Sequence, residues 1–233
     1  MPTQPQVNIM LEPWLLWDWL AGRSVARGLS LPVPDRGGMR VDTDSPDEFR
    51  RYVFAGPEPG ITEVAELVRT PRIFIKMCGP GDQLLAMVPT GWKLQPYGYL
   101  MTQSAVCGPA VSPPPGYRLH VSSYGRCFTA TILAEDDTVA ASGHAAEHGR
   151  AFVFDRISTH PEHRRRGLGK TLMAALGAMR TSAHANNVLV ATAQGRALYE
   201  SIGWKMISVF STIVIPDLPG HEALEVYPQR REQ

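Results

Sequence analysis

The chain lacks any run approaching the roughly 18 consecutive apolar residues that a membrane-spanning helix requires, and it has almost no net charge. Its 23 Lys and Arg against 22 Asp and Glu leave a balance of +1, which speaks against bulk nucleic-acid or acidic-membrane binding, since such partners usually leave a basic excess. Cysteine is scarce: Cys78, Cys107 and Cys127 are odd in number and without C-x-x-C spacing. That fits reduced thiols in a cytoplasm better than a disulfide framework or a zinc site. The histidines form no metal pattern; His144 and His148 are four apart, but in a stretch that reads as a hairpin. No basic region precedes the first apolar stretch, so no secretory signal is expected. What remains is ordinary for a globular protein, with 44% hydrophobic and 19% charged residues over a length that suits one large domain or two small ones.

Against this background one segment stands out. Phe152 to Lys170 reads FVFDRISTHPEHRRRGLGK. An apolar run (Phe152, Val153, Phe154, Ile157) of strand character stops at His160-Pro161. Three arginines and Gly167-Leu168-Gly169 follow, and then Leu168, Leu172, Met173, Leu176 and Met179 at helical spacing. A basic glycine loop between strand and helix suits an anion, because the first helical turn offers unpaired N–H groups and the positive end of the dipole. Arg164, Arg165, Arg166 and Lys170 add charge that a polyphosphate would neutralise.

Two phosphate motifs fail here by one glycine each. A P-loop ending at Gly169-Lys170-Thr171 would need glycine at Arg164, and a G-x-G-x-x-G fingerprint would need it at Leu172. The pattern [RQ]-x-x-G-x-[GA] is matched in full by Arg164-x-x-Gly167-x-Gly169 and resembles the acyl-CoA pyrophosphate loop of the GNAT superfamily of N-acetyltransferases. Downstream, Val188 to Thr192 reads as a strand, and Arg196-Ala-Leu-Tyr-Glu-Ser-Ile-Gly-Trp204 resembles the A-x-LY-x-x-x-G-[FW] segment of the same superfamily. The resemblance covers Tyr117 to Pro216. It implies a mixed, mainly antiparallel α/β (α+β) sheet flanked by helices, with an N-terminal truncated GNAT-like or accessory subdomain.

Taken in order, residues 1–38 read as a loose end, a tryptophan-rich helix from Pro13 to about Arg27, and a connection. Residues 39–112 read as an accessory, degenerate GNAT-like subdomain: strand Met39–Thr43, a helix capped at Ser45-Pro46-Asp47-Glu48, a helix from Ile61 to Arg69, strands Arg72–Met77 and Leu84–Val88, and a hairpin carrying Trp92, Tyr97 and Tyr99. Ser112-Pro-Pro-Pro-Gly116 reads as a linker. Residues 116–233 read as the acetyltransferase domain, with four strands between Tyr117 and Ile157, and a polar tail from Gly220. The superfamily places two helices between its first two strands, and this chain has room there only for a turn.

The resemblance implies acetyl-CoA (CoA) as cofactor, cradled by Arg164, Arg165, Arg166, Gly167, Leu168, Gly169, Lys170 and Thr171, with its pantetheine along Ile157, Ser158 and Thr159. It implies Tyr199 as proton donor to the leaving thiolate; a core aromatic is the alternative. Asp155, inside an apolar strand, is the candidate general base with a pKa raised by burial, or else a structural partner of Arg156 or Arg150. His144, Glu147, His148 and His120 are reserves. The acceptor is expected to be a small-molecule amine, with a protein or peptide amine, or a non-catalytic acyl-CoA-binding regulatory module, as alternatives. The apolar stretch Trp204 to Ile215 offers a homodimer interface by the same resemblance.

Overall fold

The computed structural model describes residues 11–104 and 112–217. Cys107, the expected loose N-terminal end up to Ile9 and the tail from Gly220 lie outside them. Helix α1 (Pro13–Val25) is followed by β1 (Val33–Asp35), β2 (Gly38–Ser45), β3 (Glu48–Phe54), α2 (Pro59–Leu67), β4 (Ile73–Cys78), α3 (Gly81–Ala86), β5 (Lys93–Leu94) and β6 (Gly98–Gln103). After the proline linker come β7 (Tyr117–Tyr124), β8 (Cys127–Ala134), β9 (Val139–His148), β10 (Ala151–Thr159), a 3-10 turn at Pro161–His163, α4 (Leu168–Ala178), β11 (Asn186–Thr192), α5 (Ala193–Ser201) and β12 (Lys205–Val214).

These strands form one sheet in the order β1-β2-β3-β4-β12-β6-β11-β10-β9-β8-β7, with β5 also on β12. Pairing is antiparallel except at β3–β4 and β10–β11. The mixed, mainly antiparallel sheet flanked by helices is thus the one implied by the motifs.

Three elements differ from expectation. The segment after Ser45 is strand β3, because Tyr52, Val53 and Phe54 are all buried, on alternating faces, and both edges find partners in β2 and β4. Leu84–Val88 belongs to helix α3 and its exit: β4 is already flanked by β3 and β12, which leaves no edge for another strand, and Leu84 is buried while Leu85 is exposed. Nor do Trp92, Tyr97 and Tyr99 decorate a hairpin, since β5 and β6 pair with β12 and not with each other.

The 39–112 and 116–233 segments interleave. Strand β6 lies between β11 and β12, pairing Leu100 with Val190 on one edge and Ser208 on the other. Strand β12 pairs with β6 from Lys205 to Phe210 and with β4 from Phe210 to Val214. Residues 112–233 expressed alone lack β6 and should fail to give a cooperative thermal transition by circular dichroism; a soluble, cooperatively folding fragment would contradict this.

One face of the sheet packs on α1, and the other on α2, α3, α4 and α5. Alternation along β10 shows the division: Ala151 and Val153 join the α1 cluster, Phe152 and Phe154 the α4 cluster. Helix α1 lies across β9 and β10 at a distance only glycine permits, since a Cβ on Gly22 would sit 2.6 Å from Val153 Cγ2. Buried Asp18 fixes its position by accepting from the Arg150 amide (2.8 Å) and facing His148 Nδ1 (3.3 Å) at the β9–β10 turn. The helix that the β7–β8 turn leaves no room for is thus supplied from the N-terminus.

Candidate functional site

The site begins where two parallel strands part. Strands β10 and β11 pair only from Ala151↔Asn186 to Val153↔Val188, although β10 continues to Thr159 and β11 to Thr192. Strand β11 stays on β6 over its whole length, so β10 is the one that leaves. A bulge accompanies the departure: between Asp155↔His144 and Ser158↔Ser142, two residues of β10 oppose one of β9, with Arg156 at φ 53°. Beyond Val153, the edges of both strands carry unsatisfied main-chain groups, the geometry to which an extended ligand adds as a strand would.

On the α4 side of this split lies a cleft of about 730 Å³, within the usual range for ligand sites. Its floor is Ile157, Ser158 and Thr159, and one wall is the loop Arg164, Arg165, Gly167, Leu168, Gly169 and Lys170. Gly167 caps α4 with φ 80°, a left-handed conformation that glycine adopts without strain. Nothing lies within 4 Å of where its Cβ would be, so the space in front of the helix N-terminus is open. Thr171 is the first residue to return its amide to the helix, donating to the Gly167 carbonyl. The preceding amides, with the arginines and Lys170, therefore form a cradle that fits a pyrophosphate.

Two of the expected cradle residues point elsewhere. Arg166 donates to the Tyr117 hydroxyl (2.9 Å) and to the Glu162 carbonyl (3.2 Å). Thr171 is buried, with its Oγ1 on the Gly167 carbonyl.

Tyr199 lines both this cleft and a second one, of about 760 Å³, on the α1 side of the split. It is held by α5, which starts where Thr192 Oγ1 accepts from the Gly195 amide (3.1 Å). Burial pushes the Tyr199 hydroxyl up to about 12, so it keeps its proton throughout the neutral range.

The second cleft is cationic. Arg23 from α1, Arg27 just beyond its end, Lys76 from β4 and Arg156 from β10 line it, with Asp155 as its one carboxylate. Asp155 is held by Arg27 (2.6 and 3.0 Å), Arg23 (3.5 Å) and Arg156 (3.4 Å). Burial raises the carboxyl, but the Arg27 hydrogen bonds and the three positive charges outweigh it and leave the pKa lowered. The upward shift expected from burial in an apolar strand is therefore corrected: α1 brings two arginines that the local sequence does not show. Burial lowers both Arg23 and, to about 8, Lys76, against the opposing pull of Asp155 and Glu48 respectively.

Of the reserve bases, only His144 lies near the split, opposite Asp155 at the bulge. Glu147 accepts from the Thr181 and Ser182 amides beyond α4, His148 faces Asp18, His144 contacts Thr129 Oγ1, and His120 is exposed on the edge strand. Trp92 is core, whereas Tyr97 and Tyr99 line the second cleft. The residues missed by sequence reasoning are Arg23, Arg27 and Lys76. Their signals were an i, i+4 arginine pair on an otherwise apolar helix and a lone lysine inside Ile73-Phe-Ile-Lys-Met-Cys78. Among the described residues no cluster of metal-ligating side chains occurs, and no helix is long and apolar enough to cross a membrane.

Comparison with known proteins agrees with this geometry. A family model described as an acetyltransferase (GNAT) domain matches residues 125–206. No curated protein shows a significant sequence match. Solved structures of similar fold include a GCN5-related N-acetyltransferase from Kribbella flavida (TM-score 0.60, 14% identity, covering 85% of this chain and 95% of that one). A putative GNAT-family acetyltransferase from Novosphingobium aromaticivorans (TM-score 0.52, 18% identity, 85% and 94%) is also similar, as is a GCN5-related N-acetyltransferase from Sphaerobacter thermophilus (TM-score 0.53, 11% identity, 87% and 93%). Residues 125–206 thus resemble an acetyltransferase (GNAT) domain, and the sheet they belong to is completed by strands from the first hundred residues.

Proposed function

We propose that the protein transfers an acetyl group from acetyl-CoA to a primary amine of a small molecule. The observation that carries this reading is the position of Tyr199, which faces both an anion cradle on one side of the split sheet and a separate acceptor-sized cleft on the other. Acetyl-CoA, when bound, supplies the activated thioester. The chain's own residues do the rest. Amides at the start of α4, with Arg164, Arg165 and Lys170, hold the diphosphate, and the open edge of β10 at Ile157 to Thr159 orients the pantetheine arm. Main-chain N–H groups freed by the bulge at Arg156 and Ile157 polarise the thioester carbonyl.

The Tyr199 hydroxyl donates to the departing sulfur. A thiol titrates ordinarily near about 8.5, well below this tyrosine, so the phenol acts first as a hydrogen-bond donor to the developing negative charge, and the proton balance is completed from solvent. Asp155, with three arginine partners, serves to set the guanidinium groups and not as a base. A neutral amine is favoured by the cationic walls, because positive neighbours disfavour an ammonium. The second cleft lies within the volume range of small-molecule sites, which favours a small acceptor over a protein amine. The scarce cysteines support a cytoplasmic setting.

Thermal unfolding with acetyl-CoA, ATP and NAD in parallel tests the cofactor. At about 100 times its dissociation constant a ligand stabilises by ~2.7 kcal/mol, a rise of several degrees for a chain of this size. The midpoint should rise with acetyl-CoA alone, and the rise should disappear in Gly167→Val, whose side chain enters the cradle and strains φ 80°. A larger shift with ATP would overturn the reading.

A further inference from the structure

We infer that the acceptor amine carries an acidic group, a carboxylate or a phosphate, which is bound in the second cleft by Arg23 and Lys76. This rests on the acetyltransferase reading above and names the substrate class of the same site. The cleft presents four cations to one carboxylate. Arg27 and Arg156 are spent: Arg27 is bidentate on Asp155, and Arg156 also donates to the Ala26 carbonyl. Arg23 is different. It touches Asp155 only at 3.5 Å through Nε and is 20% exposed, its guanidinium lies 5.9 Å over the Trp19 ring, and it lines the cleft.

Lys76 is the second unspent cation. Its Nζ lies 3.5 Å from Glu48 Oε1 and 4.8 Å over the Phe74 ring, with 16% of the side chain exposed. Glu48 also accepts from Arg51 at 2.7 Å, so its charge is shared. Even with Glu48 counted, positive charge exceeds negative. Each of these two largely buried cations has one carboxylate contact, at 3.5 Å and shared with an arginine, so a ligand's anion would supply counter-charge that the cleft itself has little of. Burial holds Lys76 near 8, where it is still roughly nine-tenths charged at pH 7.

A simple cationic amine is repelled by such a cleft, whereas an amine with an attached anion is drawn in by the anion and loses its own proton more readily beside the arginines. The forked guanidinium suits a planar or tetrahedral oxyanion, and Lys76 adds a point charge. The aromatic side chains Trp19, Tyr97 and Tyr99 provide an apolar wall for the linker between the two groups.

The test is a set of matched primary amines of two to five carbons, each ending in carboxylate, phosphate, hydroxyl or methyl, assayed with acetyl-CoA by release of free thiol. Carboxylate- or phosphate-ended amines should show kcat/KM at least tenfold above the neutral amines of equal length, and which anion leads identifies the source. In Arg23→Gln and Lys76→Gln, each checked for an unchanged unfolding midpoint, that preference should fall at least tenfold, through KM more than kcat. If one variant is unstable, the other and Arg23→Lys decide. Equal turnover of neutral and anionic amines, or variants that keep the preference, would overturn the inference. If no amine is consumed, the same compounds are titrated into CoA-saturated protein, and the absence of any midpoint shift with the anions overturns it too. Failure of acetyl-CoA itself to stabilise the protein refutes the acetyltransferase reading instead.

Discussion

Replacing Tyr199 by phenylalanine should lower acetyl-transfer turnover by about 10²–10⁴-fold, the usual loss on removing a positioned proton donor. The ring of Tyr199 packs against Trp204, with centroids 6.0 Å apart, and the residue lines both clefts. Phenylalanine keeps the ring and removes only the oxygen. The unfolding midpoint and its rise with acetyl-CoA should therefore be unchanged while kcat falls. Because the hydroxyl titrates only near about 12, wild-type turnover should show no falling limb from this group between pH 7 and 10. Unchanged turnover in Tyr199→Phe would reduce the residue to a core aromatic.

The second large effect is on stability. Asp155→Asn should destabilise the fold by about 3–5 kcal/mol, since removing one partner of a buried ion cluster leaves charges uncompensated. The carboxylate is only 10% exposed and holds three guanidinium groups. At this chain length each kcal/mol moves the midpoint by roughly 2–4 °C, so a drop on the order of 10 °C is expected. The arginines keep the folded-state carboxyl below its ordinary value. The unfolded chain then binds the proton first as the solution is acidified, so this contribution is complete above the ordinary carboxylate pKa of about 3.9 and is lost as pH falls through the lowered folded value. The acid limb of the stability profile should be correspondingly shallower in the variant. A variant with wild-type stability and a shifted pH–rate profile would restore Asp155 as the general base.

The cleft at the start of α4 was legible in the sequence because its parts are local. A strand, a basic glycine loop and a helix start lie within Phe152 to Lys170, and the requirement for φ 80° at Gly167 is met by the residue itself. The second cleft was not legible. Arg23 and Arg27 lie about 130 residues before Asp155, and only the packing of α1 against β10, through Gly22 and the Asp18 contacts to the β9–β10 turn, brings them together.

The same distinction holds for the fold. Apolar periodicity and turn residues determined most elements of the second half and its mainly antiparallel character, because those preferences are set by neighbours in the chain. Whether Glu48 to Phe54 became helix or strand, and whether Leu84 joined the sheet, depended on which strand edges were free. The placement of β6 between β11 and β12 likewise satisfies two open edges with one distant segment. Such choices are made by main-chain hydrogen bonding across the whole sheet, and no local window of sequence contains them.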